Sequence, residues 1–274
     1  MPMDRPIGMF DSGFGGLTVA RALIDLLPAE DVVYIGDTGR YPYGNKPLDE
    51  VRDHASEIAT SLVDDYGAKA IVVACNTAAA AGLEKLRADL SVPVIDVIQP
   101  GARSLVATTV SGRVGVIGTV GTISSGSYVQ AVDAAALEAG RDDIELTSAA
   151  CPGFVEFVER GQTSGDEVMV LAERLLAPIV AAGLDALLFG CTHYPYLARV
   201  VTDVVGAGVT LVSSADETAF AAADLLRDLG VLRAATGRAG TRTFLSSGDV
   251  EAFRELGSRL LGPELDNALP WPAR

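Results

Sequence analysis

The 274 residues carry 21 Lys and Arg against 36 Asp and Glu, a formal net charge of −15, with 49% hydrophobic and 21% charged residues. That balance repels phosphate backbones and anionic lipid surfaces, so neither nucleic acid nor a membrane is expected as a partner, while the apolar share supplies core for one large domain or two small ones. No apolar run reaches the roughly 18 residues of a membrane span, and Asp4, Arg5 and Asp11 interrupt the start, so a soluble, cytoplasmic chain without a signal peptide is expected.

Short apolar runs alternate with amphipathic stretches. Strands are expected at Ile7–Phe10, Val32–Ile35, Ala70–Ala74, Val92–Val97, Val114–Ile117, Ile144–Leu146, Ala186–Phe189, Val209–Val212 and Thr243–Leu245. Helical periodicity marks Gly16–Leu27, Leu48–Tyr66, Thr77–Leu90, Val168–Ala182 and Asp216–Leu229, with a last helix running through Leu261. Strands apolar at every position, each followed by a helix, indicate α/β architecture with parallel sheets covered on both faces. Ligands in such folds bind beyond the carboxyl ends of the strands.

Those ends show an internal repeat. Ile7-Gly8-Met9-Phe10 before a Gly-rich turn resembles Val114-Gly115-Val116-Ile117 before Gly118 and Gly121, and Ala70–Ala74 before Cys75-Asn76-Thr77 resembles Ala186–Gly190 before Cys191-Thr192-His193. The shift from Ile7 to Val114 and that from Cys75 to Cys191 differ by only 9 residues, as loop changes between duplicated halves allow. The expectation is two pseudo-symmetric lobes, each a mainly parallel sheet flanked by helices, with an active site in the cleft between them. Lobe one would be 1–98 plus 209–263, carrying Asp11 and Cys75, and lobe two 99–208, carrying Cys191 and His193. Crossovers fall near Gln99–Ala102 and Gly206–Val209, and the Pro-rich tail, 264–274 with Trp271, is expected to be loosely attached.

Phe10-Asp11-Ser12-Gly13-Phe14-Gly15-Gly16 leads a strand through a Gly-rich turn into a helix; taken alone such a turn either aims backbone N–H groups at an anion or serves only to pack helix on strand. It is neither a Walker A loop nor a dinucleotide fingerprint. An Asp at the strand end would face the cleft. Asp37 ends the second strand, where an Asp commonly caps the loop; Pro42-Tyr43-Gly44 follows and could offer N–H groups and a phenol to a ligand.

Cys75 and Cys191 each stand where a strand gives way to a helix. A thiol at a helix N-terminus has its pKa lowered, which enriches the nucleophilic or basic thiolate. A buried small hydrophobe is the commoner fate of a lone Cys, but Asn76, Thr77, Thr192 and His193 are polar neighbours that a core position does not explain. His193, two residues past Cys191, can act as acid or base or orient the thiol. Cys151, before Pro152, reads as structural, and His54, among Asp53, Ser56 and Glu57, as a solvated surface residue. Three Cys and two His with no close Cys pair do not make a zinc site. A pyridoxal-phosphate enzyme would need a Schiff-base lysine, and Lys46, Lys69 and Lys85 lie beside no phosphate loop.

Together these motifs resemble the glutamate racemase family of the aspartate/glutamate racemase superfamily. The matching stretches are Phe10–Gly16, Tyr34–Asp37 with Pro42-Tyr43-Gly44, Cys75–Thr77, Cys151–Glu159 and Gly190–Pro195, spread in order over about four fifths of the chain. The resemblance implies a cofactor-independent, metal-free isomerase that interconverts L- and D-glutamate and supplies D-glutamate for peptidoglycan. It implies that Cys75 takes the α-proton of D-glutamate and Cys191 that of L-glutamate, with Asp11 and His193 assisting. Substrate contacts would come from Asp11, Ser12, Tyr43, Gly44, Asn76, Thr77, Thr192 and His193, with Asp37 and Glu159 in support. A homodimer is expected on the habits of soluble enzymes. A racemase of another amino acid such as aspartate, or a non-catalytic binding protein for an acidic amino acid, are the competing readings; the second leaves the paired thiols unexplained.

Overall fold

The computed structural model describes residues 3–234 and 237–273. Its packing divides the chain into two units, Met1–Val97 with Ala215–Arg274 and Ile98–Ser214.

The first unit holds a six-stranded sheet in the order β10-β9-β2-β1-β3-β4. Its strands are β1 (Ile7–Asp11), β2 (Val32–Gly36), β3 (Ala70–Val73), β4 (Val94–Asp96), β9 (Arg242–Ser246) and β10 (Leu269–Pro270), and every neighbouring pair is parallel. The helices of this unit are α1 (Leu17–Leu26), α2 (Leu48–Asp64), α3 (Asn76–Asp89), α10 (Ser214–Asp228) and α11 (Val250–Leu260). All five residues of β1 and of β2 are buried, as a parallel sheet covered on both faces requires. α2 buries Val51, Ala55, Ile58, Ala59 and Leu62, a helical stripe, against that sheet and keeps Asp49 and Glu50 in its first turn, where the helix dipole favours negative charge. The helix expected over Thr77–Leu90 is interrupted at Gly82. A Cβ there would lie 2.6 Å from Cγ of Arg52, so α2 and α3 approach more closely than a larger residue allows.

The second unit holds β5 (Arg113–Gly118), β6 (Glu145–Ala150), β7 (Ala186–Gly190) and β8 (Thr210–Ser213) in the order β6-β5-β7-β8, again all parallel. Around them are α4 (Ile98–Thr108), α5 (Val120–Ser124), α6 (Ser127–Glu138), α7 (Phe154–Glu159), α8 (Asp166–Ala182) and α9 (Ala198–Val205). Its core gathers Ile117, Phe154, Leu176, Ile179, Leu187, Phe189, Tyr194 and Leu197.

The internal repeat is visible in topology and register. β2-β1-β3-β4 and β6-β5-β7-β8 share one strand order. Ile7 pairs with Ala70 as Val114 pairs with Ala186, and Ile7 pairs with Val32 as Val114 pairs with Leu146. Cys75 and Cys191 therefore occupy equivalent positions past β3 and β7. By the same register Asp37 and Cys151 are equivalent, and each donates its N–H to the last residue of the central strand, Asp37 to Asp11 O at 2.9 Å and Cys151 to Gly118 O at 2.8 Å.

Two expectations about organisation are corrected. The run Val209–Val212 does not return to the first sheet: β8 pairs with β7, Leu187 opposite Leu211, and completes the four-strand repeat. The chain leaves the second unit only after Ser214 and entered it after Val97. Nor is the tail loose. β10 adds to β9, the Trp271 N–H donates to Ser246 O at 2.7 Å, and its indole Nε1 donates to Ser61 Oγ at 3.0 Å. At 3% exposure Trp271 is a core residue; an aromatic of that size gains more by burial than a short tail loses in entropy. No helix is long and apolar enough to cross a membrane among the described residues.

Candidate active site

In the first unit the polar candidates collect at the carboxyl ends of β1, β2 and β3. Asp11, the last residue of β1, is 1% exposed. Its Oδ2 accepts from Gly13 N at 3.3 Å and Gly16 N at 2.8 Å, so these two N–H groups are taken by the chain's own carboxylate. This explains the glycine at 16: a Cβ there would sit 2.6 Å from Asp11 Cβ and 2.8 Å from the Tyr34 hydroxyl. α1 has Gly16 at its N-cap and no side-chain cap; the N–H groups of Leu17 and Thr18 are taken instead by the carbonyls of Phe14 at 3.0 Å and Gly15 at 3.1 Å.

Cys75 is the N-cap of α3, and its Sγ accepts from Ala78 N at 3.5 Å while lying 3.7 Å from Ser12 Oγ. The helix end was expected to depress this thiol. Instead its pKa is raised: burial dominates and the Asp11 carboxylate adds to it, while the bonds from Ala78 and Ser12 pull only partly the other way. Desolvation of a fully enclosed anion outweighs one amide and one hydroxyl. Asn76 and Thr77, each 3% exposed, form the first turn of α3 behind it.

Asp37 is fully buried and does more than cap a loop. It accepts from Arg40 Nε at 2.7 Å, from Ser247 Oγ at 2.5 Å and from the Tyr43 hydroxyl. Tyr43 opens the 3-10 turn Tyr43–Asn45, which packs against α3, and burial together with the Asp37 charge pushes its phenol up. Gly44, within that turn, is half-buried. His54 is corrected from a surface residue: its side chain is 17% exposed, Nδ1 lies 3.2 Å from Arg40 Nη1, and Nε2 lies 3.3 Å from Glu50. Sequence reasoning missed Arg40, Glu57, Ser247 and Trp271 in this cluster. For Ser247 a signal existed, because Ser246-Ser247 ends a parallel strand as Asp11-Ser12 does.

In the second unit β7 delivers Cys191 and Thr192, both 6% exposed, and then His193 at 3%. Cys191 precedes a four-residue 3-10 turn, Tyr194–Leu197, and α9 begins only after it. Cys191 Sγ is 3.9 Å from His193 Nδ1, and His193 Nε2 is 3.1 Å from Glu159 Oε1 at the end of α7. Thiol, imidazole and carboxylate thus stand in series, each within reach of the next. Cys151 is 1% exposed in the core, as a structural residue should be, and burial with the nearby Cys191 charge pushes it up to about 12. Its carbonyl accepts from the Tyr194 hydroxyl at 3.0 Å, which pins the turn after Cys191.

Among the described residues no group of three or more His, Cys, Asp or Glu is arranged to hold a metal ion. Lys69, the one lysine with no exposed side chain surface, is engaged by Glu30 at 2.6 Å and by the carbonyls of Met3 and Val231.

Residues 9–222 match the Asp/Glu/Hydantoin racemase family. The chain is 52% identical to a glutamate racemase of Mycobacterium ulcerans over 97% of its own length and 95% of the relative's. Its fold superposes on a glutamate racemase isoform of Bacillus anthracis with a TM-score of 0.89 and 38% identity, covering 98% of this chain and 97% of that one. A glutamate racemase of Francisella tularensis in complex with D-glutamate gives the same TM-score at 33% identity, covering 99% and 98%. With a family match across most of its length and relatives alike from end to end, the chain belongs to the Asp/Glu/Hydantoin racemase family.

Proposed function

We propose that this protein interconverts L- and D-glutamate without a cofactor, with Cys75 and Cys191 as the two acid/base groups. The observation that carries the reading is the placement of two thiols at equivalent register positions past β3 and β7, in sheets of one strand order. Inverting a stereocentre by proton transfer needs a base on one face of Cα and an acid on the other. Two equivalent thiols serve both roles by exchanging protonation states, which requires one thiolate and one thiol at a time.

The two environments support a division of labour. Burial and Asp11 keep Cys75 protonated, so it is poised to deliver a proton. His193, backed by Glu159, is placed to take the Cys191 proton. An enzyme in that state is ready for L-glutamate: Cys191 removes the α-proton and Cys75 donates to the opposite face, giving D-glutamate. In return, a Cys75 thiolate raised by burial is a strong base for the weakly acidic α-proton of D-glutamate. Ser12, Tyr43, Gly44, Asn76, Thr77 and Thr192 are proposed to hold the substrate, as the resemblance implies, and the Francisella relative crystallised with D-glutamate is consistent with that ligand class.

The test is racemisation in D2O followed by circular dichroism and mass spectrometry. L-glutamate should give D-glutamate carrying deuterium at Cα, while early recovered L-glutamate stays protiated, and the reverse should hold from D-glutamate. Early product without deuterium overturns the two-thiol mechanism; binding without loss of optical rotation overturns catalysis; equal rates on aspartate overturn the substrate. We also propose a cytoplasmic homodimer that supplies D-glutamate to peptidoglycan; a fully active monomer in ultracentrifugation would contradict the dimer.

A further inference from the structure

Among the described residues, β9 and β10 have no counterpart in the four-strand repeat of the second unit. They bring two side chains to the Asp37 cluster. Ser247, just past β9, donates to Asp37 Oδ1 at 2.5 Å and accepts from Gly39 N at 2.9 Å. Trp271, just past β10, presents its ring to Arg40, whose guanidinium carbon is 5.8 Å from the ring centroid. That guanidinium spends its other hydrogen bonds on Asp37, Glu57 and His54. Its Nη2 is buried without a hydrogen-bond acceptor, and the indole ring lies within cation–π range of the same guanidinium. Trp271 is itself fixed at both ends, by its N–H on Ser246 and its indole N–H on Ser61.

We infer that Trp271 is a positioning residue: it holds Arg40 on Asp37, Asp37 holds the Tyr43 hydroxyl, and the last strand of the chain thereby sets the geometry of the Tyr43–Gly44 turn. The inference rests on the glutamate reading above insofar as that turn contacts substrate. The Tyr43–Asn45 turn packs against α3, whose N-cap is Cys75, so the relay ends on the helix that carries the proposed catalytic thiol. Asp37 is fully enclosed, so its charge is tolerable only while its donors stay in place, and Arg40 stays in place only while a planar partner backs it. Lysine does not substitute, because a single ammonium cannot divide donors between Asp37 and Glu57 as the guanidinium fork does.

The experiment uses Arg40→Gln, Arg40→Lys, Trp271→Leu and Trp271→Phe in the full-length chain, with kinetics on both enantiomers and with tryptophan emission. Trp271 is the sole tryptophan, so the emission reads the contact without substrate. Arg40→Gln, Arg40→Lys and Trp271→Leu should raise KM for L- and D-glutamate about tenfold with kcat changed less than about threefold, and Trp271→Phe, which keeps a π face, should restore most of the loss. Both Arg40 variants and Asp37→Asn should shift the emission of the ligand-free protein. A residue that merely braces the fold would lower the active fraction and leave KM alone. Unmoved KM in folded Arg40→Gln, or unmoved emission in both Arg40→Gln and Asp37→Asn, overturns the inference. Trp271→Leu is the variant most exposed to misfolding, and the part-exposed Arg40 variants decide the matter without it. Failure of the glutamate reading shows up separately, as a wild-type protein that leaves optical rotation unchanged while its emission still responds to Arg40→Gln.

Discussion

Cys75 and Cys191 stand at the same place in two copies of one strand order, yet their partners differ in kind. Cys75 caps a long helix and is touched by a backbone N–H and the Ser12 hydroxyl, with the Asp11 carboxylate close by. Cys191 has a short 3-10 turn beyond it and a histidine beside it, itself held by Glu159. The first setting resists thiolate formation; the second offers a base to receive the proton. Duplication can thus supply two chemically identical groups, while local substitutions give each a different set of neighbours.

The largest effect should come from deleting either member of the pair. Cys75→Ala or Cys191→Ala is expected to lower racemisation at least 10³-fold, since the proposed mechanism uses both groups in each turnover. Circular dichroism of L- and D-glutamate checks this, and a near wild-type rate in either variant would end the comparison.

Next come the assistants. Glu159→Gln should lower kcat/KM by about 10- to 100-fold. Because the equilibrium constant of a racemisation is one, kcat/KM must fall equally in both directions. The asymmetry appears instead in primary isotope effects. Slowing the Cys191 step should enlarge the effect with α-deuterated L-glutamate and shrink it with α-deuterated D-glutamate; Asp11→Asn should do the opposite. Identical responses to the two variants would show that the thiols do not have separate helpers.

A smaller signature lies in the pH dependence of stability. Cys75 and Cys151 both hold their protons more tightly folded than an exposed thiol does, burial being the main cause. Their contribution is therefore fully present below the unfolded thiol value of about 8.5, and it is lost as pH rises towards the folded values, about 12 for Cys151. Thermal melts should fall across that alkaline window, and alkylation of Cys75 in the ligand-free enzyme should accelerate with pH throughout it. A thiol alkylated rapidly and independently of pH near neutrality would contradict the buried, protonated state.

The smallest effect is expected at Cys151, the register equivalent of Asp37. Cys151→Ala removes one buried sulfur and should cost about 1 kcal/mol of stability by urea melts, with kcat within about threefold. A tenfold loss of kcat would promote this third thiol from core to chemistry.

Much of the molecule was legible in the chain itself. Runs such as Ile7–Phe10 and Ala186–Phe189 are apolar at every position, which only a doubly covered strand tolerates, and the repeat of Gly-containing strands followed by cysteine reported the duplication. Polar residues after those strands marked the candidate site because parallel sheets expose their carboxyl ends. The family resemblance rested on the same stretches. Other features depended on contacts distant in sequence. That Thr210–Ser213 completes the second sheet was settled by pairing with β7, since an apolar strand carries no label of its neighbour. Trp271 looked like the end of a Pro-rich tail and became core through Ser61 and Ser246, neither near it in the chain. His54 read as solvated from its helix neighbours, but Arg40 reaches it from a preceding loop. The Cys75 thiol, finally, sits at a helix N-terminus that by itself would favour the thiolate; only the three-dimensional enclosure, with Asp11 turned towards its own loop, reverses that sign, because removing an anion from water costs more than one helix end returns.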